Sequence, residues 1–516
     1  MLQIRFISHL ARLTFIAGAL VSGNAHAFCG FFAGKADTSL FNEASQVILV
    51  RDGNRSVISM LNDYRGPLHD FALVVPVPQV LEKGQVQIGN KRLFDRMDAY
   101  SAPRLAEYYD NDPCPVGIQN RGIPEMMDGL QKNALPASVE LKKSKSDKAL
   151  GVSVEASYTV GEYDIVMLSA KQSDGLETWL RQNGYKMPKG AAAALRPYIA
   201  QNMKFFVAKV NLKEQAATGV QYLRPLQFAF ESEKFMLPIR LGMINADPKK
   251  PQDLIAYVLT RNGRVESANY RTVKLPANDN LPPAIKKNFT TFYKAMFDHQ
   301  AKQEAHRVVF TEYFWDMGWC DPCADEPLSR EELQQAGVFW LDGSDNSSGA
   351  QNALLTRLHV RYTPKTFPED LMFVQTSDRE NWQTRYVVQN PFEGSIQQCR
   401  DKAANYSCEN ACQSYSGMHW QDYFERKGYI GQCVQSCKES NRFAIEQATR
   451  YYETDLPLRQ QKEMQTLMHY TGWNMSEIER FIGARFSLNR EQGVYQTHQK
   501  WWEKLFNKTP NRATKP

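Results

Sequence analysis

From Gln46 to Tyr64 the apolar residues gather in two short runs about a turn. Gln46-Val47-Ile48-Leu49-Val50 leads to Arg51-Asp52-Gly53-Asn54, and Val57-Ile58-Ser59-Met60-Leu61 returns. Asp-Gly at the tip supplies the positive φ of a tight hairpin, so two paired strands are predicted. Phe71 to Val77 predicts a third, more buried strand. Leu93 to Tyr109 has helical spacing, with Leu93, Met97, Tyr100, Arg104 and Tyr108 near one face and Pro103 as a break or kink.

Strand patterns resume at 152–159 and 163–169, joined at Gly161. Ser173-Asp174 caps a helix carrying Leu176, Trp179 and Leu180, and a second helix covers 191–201. Strands are predicted over 204–210, 226–230 and 234–241, and 254–271 reads as a hairpin with Asn262-Gly263 at its tip. Residues 284–306 read as a helix, and 308–315 as an apolar, aromatic strand. Ser329-Arg330-Glu331-Glu332 has capping-box form and starts a short helix ending near Gly337. Strands follow at 338–341, 354–362 and 371–375, with a Gly/Ser/Asn loop over 342–352. Helices do not alternate regularly with strands, so the fold class is α+β, a hairpin-rich mixed core.

After Pro391 the strand patterns disappear. Five cysteines fall between 399 and 437, and 458–470, 476–486 and 492–507 read as helices. This predicts a boundary near 395, a core over 28–395 with a subdivision near the lysine-rich loop 136–148, and a mainly helical, disulfide-stabilised domain over 396–516. The last helix places Val494, Trp501, Trp502, Leu505 and Phe506 among basic neighbours and reads as packing that aromatic face on its own domain.

The first 27 residues carry Arg5 and Arg12, no acid, an apolar run from Leu13 to Val21 and Ala25-His26-Ala27. That is a signal peptide with cleavage after Ala27, too short in its apolar run to span a bilayer. Export to the periplasm or beyond is the expectation, and no later stretch is long enough to be transmembrane. The whole chain has 62 basic and 56 acidic residues in 516, a net charge of +6. No basic block with interleaved aromatics occurs, which argues against nucleic acid.

The nine cysteines are 29, 114, 320, 323, 399, 408, 412, 433 and 437. In an oxidising compartment disulfides are the default. Cys114, between Pro113 and Pro115, is expected to pair with Cys29, the only other cysteine of its half. Cys408-x3-Cys412 and Cys433-x3-Cys437 each lie on one face of a helix, so Cys408–Cys437 and Cys412–Cys433 can join two antiparallel helices, one of three connectivities open to them. Cys399 is then the odd thiol.

Several segments together resemble a bacterial family known as domain of unknown function 2330. They are Cys29-Gly30-Phe31-Phe32 with Lys35-Ala36-Asp37, Ala72-Leu73-Val74-Val75-Pro76-Val77-Pro78, and Asp98-Ala99-Tyr100-Ser101-Ala102-Pro103-Arg104-Leu105. Tyr158-Thr159-Val160-Gly161-Glu162-Tyr163-Asp164-Ile165, Gly175-Leu176-Glu177-Thr178-Trp179-Leu180 and Trp319-Cys320-Asp321-Pro322-Cys323 complete the set. The resemblance covers about 28–395 and implies an exported bacterial protein with no activity to carry over. Residues 396–516 look like an addition.

Trp319-Cys320-Asp321-Pro322-Cys323 is also similar to the dithiol site of thioredoxin-like oxidoreductases, for which Pro364 is the candidate facing proline. Against redox work, the best helix start, Ser329, is remote from Cys323, and Asp316, Asp321, Asp325 and Glu326 raise a thiol pKa. A structural Cys320–Cys323 disulfide is the blander expectation. No metal site is expected: there is no second C-x-x-C, and His299 and His306 are seven apart, which does not chelate. No cofactor motif, G-x-S-x-G, H-E-x-x-H or P-loop occurs, and Asp110, Asp112, Glu125 and Asp128 form only an acidic neighbourhood. The reading is a non-catalytic exported protein that binds an envelope partner or ligand or serves a structural role. The alternative is an oxidoreductase at Cys320 and Cys323, or a hydrolase.

Overall fold

A computed structural model describes residues 31–34, 44–62, 71–117, 152–185, 190–218, 223–245, 251–322, 324, 326–341, 352–414 and 423–482. The signal and its cleavage point, Cys29, the 136–148 loop, most of the 342–352 loop, Glu125, Asp128, Cys323 and the 492–507 segment lie outside them.

The first half runs β1 (Phe31–Gly34), β2 (Ala44–Asp52), β3 (Arg55–Asn62), β4 (Phe71–Val77), β5 (Val86–Ile88), α1 (Lys91–Ser101), β6 (Arg104–Tyr109), β7 (Val152–Val160) and β8 (Tyr163–Ala170). Helices α2 (Ser173–Gln182) and α3 (Ala191–Ala200) precede β9 (Lys204–Val210), α4 (Leu212–Ala217), β10 (Leu226–Glu231) and β11 (Met236–Leu237). Then come β12 (Gln252–Thr260), β13 (Val265–Ser267), β14 (Arg271–Lys274), β15 (Asn280–Leu281), α5 (Phe289–Gln303), β16 (Val308–Asp316) and α6 (Arg330–Gln335). Strands β17 (Leu354–Tyr362), β18 (Leu371–Gln375), β19 (Trp382–Gln383) and β20 (Arg385–Asn390) end the strand-rich part. Helices α7 (Ile396–Asn405), α8 (Cys408–Ser414), α9 (Tyr423–Arg450), α10 (Leu456–Thr471) and α11 (Met475–Ile482) follow. The chain is thus α+β with a helical C-terminal part.

Two sheets form the centre. One has the order β1-β4-β9-β8-β7; the other has β14-β16-β17-β12-β2-β3-β10-β5, with β19 added on β16. Alternation along each strand assigns its two faces. Val47, Leu49, Ile58 and Met60 point to the layer between the sheets, where Leu73, Val75, Ile165 and Phe206 meet them. Ile48, Val50 and Val57 point the other way, against Leu93, Phe94 and Met97 of α1 and Leu333 of α6. The outer face of the first sheet is covered by α2 and α3 through Leu176, Trp179, Leu180 and Leu195.

Gly53 turns the β2–β3 hairpin at φ +55, as the Asp-Gly pair predicts. Three expectations are corrected. The 93–109 helix stops at Ser101: Pro103 forces Ala102 to an extended conformation (φ −65, ψ 149), and the chain continues as β6. Residues 254–271 are not a hairpin. Strand β12 is central, parallel to β2 on one edge and antiparallel to β17 on the other, so β13 pairs instead with β18. Gly263 serves a close approach, since a Cβ there would sit 2.1 Å from the Thr376 carbonyl. Lastly, 338–341 is a 3-10 turn over Phe339–Leu341 rather than a strand.

The C-terminal helices pack against the strand-rich part. Met464, Leu467 and Tyr470 of α10 share one apolar cluster with Phe292, Met296 and Phe297 of α5. Helix α9 passes into α10 through a π turn at Tyr451–Asp455, next to Pro457, which withholds a backbone donor. Cys408 pairs with Cys437 and Cys412 with Cys433, on α8 and α9. Cys114, however, pairs with Cys399 of α7 and not with Cys29. Cys399 is therefore not the odd thiol. The fold brings the loop after β6 against α7, and a sulfur forms one such bond. No helix among the described residues is long and apolar enough to cross a membrane.

Candidate functional site

Two constellations stand out, one on each face of the larger sheet. On the α1/α5 face, strand β17 alternates Arg357, His359 and Arg361 toward the helices, and β12 does the same with Asp253 and Tyr257. A register shift in β16 between Thr311 and Tyr313 lets the adjacent Glu312 and Tyr313 both address this face. The Glu312 carboxylate is fully buried. It lies 2.6 Å from His359 Nδ1, accepts from Arg357 Nε at 2.5 Å, and accepts from the Tyr293 hydroxyl. Arg357 Nη1 also donates to Asp98 of α1 at 2.7 Å. Asp253 takes a bidentate pair from Arg361, both bonds 2.7 Å, and lies 3.6 Å from His359 Nε2. Phe297 of α5 stacks on the imidazole at 3.9 Å.

Burial alone would discharge these groups, but their neighbours outweigh it. The His359 imidazole is held up at about 9, against burial, chiefly by the Glu312 carboxylate and then Asp253. Glu312 is held down at about 2, against burial, by His359 and Arg357. Asp253 lies well below the usual carboxylate range through Arg361 and His359, again against burial. Perturbed groups often mark active sites. Here helices α1 and α5 cover the set and every charge has an opposite neighbour, which makes a tie between sheet and helices.

The opposite face carries a cleft of about 240 Å³ between the two sheets. Ile58 and Met60 of β3 and Phe228 and Phe230 of β10 form one wall. Val75 of β4, Met203 before β9 and Met236 of β11 form the other. Period-two alternation presents each strand pair to the same space. The rim is Gln201, Ser232, Glu233 and Lys234, and Lys234 Nζ donates to Gln201 Oε1 at 2.6 Å across the mouth. An apolar, methionine-lined concavity with a few polar groups at its edge suits an apolar guest, and unbranched methionines adapt to its shape.

The residues singled out from sequence are dispersed. Cys320 is exposed and bonded to no cysteine among the described residues, and Cys323, its expected partner, lies outside them. Its loop is anchored by the buried Asp321, which accepts from the Tyr313 hydroxyl at 2.9 Å and Gln383 Nε2 at 2.7 Å. Pro364 follows the opposite end of β17 from the one that pairs with the strand leading into Cys320. Asp316, before the cysteine, pairs with Leu354 at the start of β17, while Pro364 follows Tyr362 at the far end. About 26 Å of strand separates the two ends. Asp110 and Asp112 are engaged structurally, by Arg459 and by Lys402. His299 lies against Gly472, and His306 turns the chain after α5 at φ +54. None of these lines the cleft.

Neither set is singled out by the sequence motifs. Arg357-Leu358-His359-Val360-Arg361 within an otherwise apolar strand is the signal that could have found the ion cluster. The cleft has no such signal, because its lining comes from five separate segments. Among curated proteins and among solved structures, nothing matches the chain. One family model matches residues 23–374, including every strand of both central sheets except β19. The chain belongs to that family, the uncharacterized proteins conserved in bacteria designated DUF2330.

Proposed function

We propose that this chain is an exported, non-catalytic binding protein that takes an apolar group into the cleft between its two sheets. The observation that carries the reading is the cleft itself, about 240 Å³, walled by Met60, Met203, Met236, Phe228 and Phe230. Pockets for drug-sized ligands measure about 300–1,000 Å³, so the guest is a small molecule or one part of a larger one. Export rests on the signal-like first 27 residues and accords with the three disulfides.

The test is titration of the purified protein with the apolar fluorophore N-phenyl-1-naphthylamine, comparing wild type with Met60→Trp and Met203→Phe. Saturable binding that either filling variant abolishes, with the melting transition retained, supports the reading. Binding that both variants leave unchanged, or no binding to wild type, removes it. A second reading, thiol exchange, is favoured by the free, exposed Cys320. It is tested by insulin reduction, with Cys320→Ser as control.

A further inference from the structure

We infer that the guest of this cleft is a polypeptide, bound by adding a strand to the open edge of β11 and placing one bulky apolar side chain between the sheets. The inference rests on the cleft being a binding site and goes on to its ligand class.

Strand β11 is an outer strand in the order β11-β18-β13. Its register pairs Met236 with Met372 and Leu237 with Leu371. The Phe373 N–H donates to the Phe235 carbonyl at 2.8 Å, which makes that pair the hydrogen-bonded one. In an antiparallel ladder the next pair, Met236 with Met372, turns its backbone groups outward on both sides. Met372 shows this directly. Its N–H donates to Asn269 Oδ1 at 3.0 Å, and its carbonyl accepts from Ala268 N–H at 2.7 Å, both away from β11. By the same geometry the Met236 N–H and carbonyl point away from β18, and no strand of the described residues pairs on that side.

Met236 also lines the cleft. A residue pairing with Met236 would exchange two backbone hydrogen bonds with it. Opposite residues of a ladder project to the same face, so that residue would send its side chain into the cleft beside the Met236 side chain. A backbone donor and acceptor that no strand among the described residues pairs, next to a side-chain pocket, is the arrangement by which sheets take up extended peptides. The size agrees, since about 240 Å³ is small for a drug-sized molecule and suits one large side chain. The rim agrees too. Its charged residues are one lysine and one glutamate, Lys234 and Glu233, with no surplus charge for an ionic headgroup.

The probe is acetyl-Ser-Thr-Phe-Thr-Ser-amide, measured by calorimetry and by displacement of N-phenyl-1-naphthylamine from the wild-type protein. Its partners are the same peptide with Phe→Ala, the same peptide N-methylated at Phe, and sodium decanoate. The parent peptide is expected to displace the fluorophore. Both altered peptides are expected to bind at least about tenfold more weakly, one losing the anchor and the other the backbone donor. Fluorophore binding with equal affinity for the parent and N-methylated peptides overturns strand addition and leaves the cleft reading standing. Displacement by decanoate alone does the same and assigns the cleft to acyl chains. Failure of the fluorophore to bind wild type overturns the cleft reading and this inference together.

Discussion

Cys114 and Cys399 are bonded to each other across 285 residues of chain, with their Cα atoms 5.7 Å apart. Around them, Ala444 and Ala448 of α9 close a small buried cluster. The bond joins the loop after β6 to the first C-terminal helix and so ties the strand-rich part to the helical part. Non-reducing peptide mapping should return a Cys114–Cys399 peptide pair. Replacing both by alanine should cost about 2–5 kcal/mol in a denaturation titration, because a long loop is released in the unfolded chain. A Cys29–Cys114 peptide in the map would refute the assignment.

Arg357 is the shared cation of Glu312 and Asp98. Arg357→Met should destabilise the protein by about 3–5 kcal/mol, since it leaves the Glu312 charge buried with one partner fewer. Denaturation of the variant at pH 7 checks this, and a loss below about 1 kcal/mol would refute it.

His359 gives the same cluster a pH dependence. Its pKa is raised to about 9 in the fold, above the ordinary histidine value of 6.5. The folded state therefore holds a proton that the unfolded chain releases. This stabilisation is complete below about pH 6.5 and is lost as the pH rises through about 9. His359→Gln should flatten the stability profile between pH 7 and 10. Parallel profiles for wild type and variant would count against the ion pair with Glu312.

Glu463 of α10 has the opposite character. Its carboxyl is 2% exposed, Oε1 has no hydrogen-bond partner among the described residues, and burial pushes its pKa up to about 7, with Arg459 Nε 3.4 Å away. The fold thus favours its neutral form, so stability falls as the pH climbs from about 4.5 to about 7. Glu463→Gln should raise stability at pH 8 by about 2 kcal/mol and leave it unchanged at pH 4. Equal effects at both pH values would refute this.

Cys320 is exposed and free, beside Trp319, which is 69% exposed. Iodoacetamide applied to the native protein should label Cys320, while Cys114 and Cys399, buried and bonded, remain unlabelled. Labelling of Cys320 only after reduction would place it in a disulfide instead.

Local signals are legible in this sequence wherever neighbours along the chain decide the outcome. The Asp52-Gly53 turn, the Ser329 capping box and the strands 71–77, 204–210, 354–362 and 371–375 depend on propensity and alternation within a few residues. The two C-x3-C pairs belong here too, since helical periodicity alone puts each pair on one face. Pro103 reads as a break, yet the conformation of the chain beyond it is decided by pairing: β6 lies parallel to β20, nearly three hundred residues on. Likewise β12 carries the pattern of a hairpin arm but finds β2 and β17 on its two edges. Cys114 takes its partner from α7 because the fold brings the two together. The Glu312–His359–Asp253 cluster and the Met236 cleft each need three or more separate segments to converge. No window of sequence contains such a site, because the burial and electrostatic coupling that define it arise only when distant strands share a face.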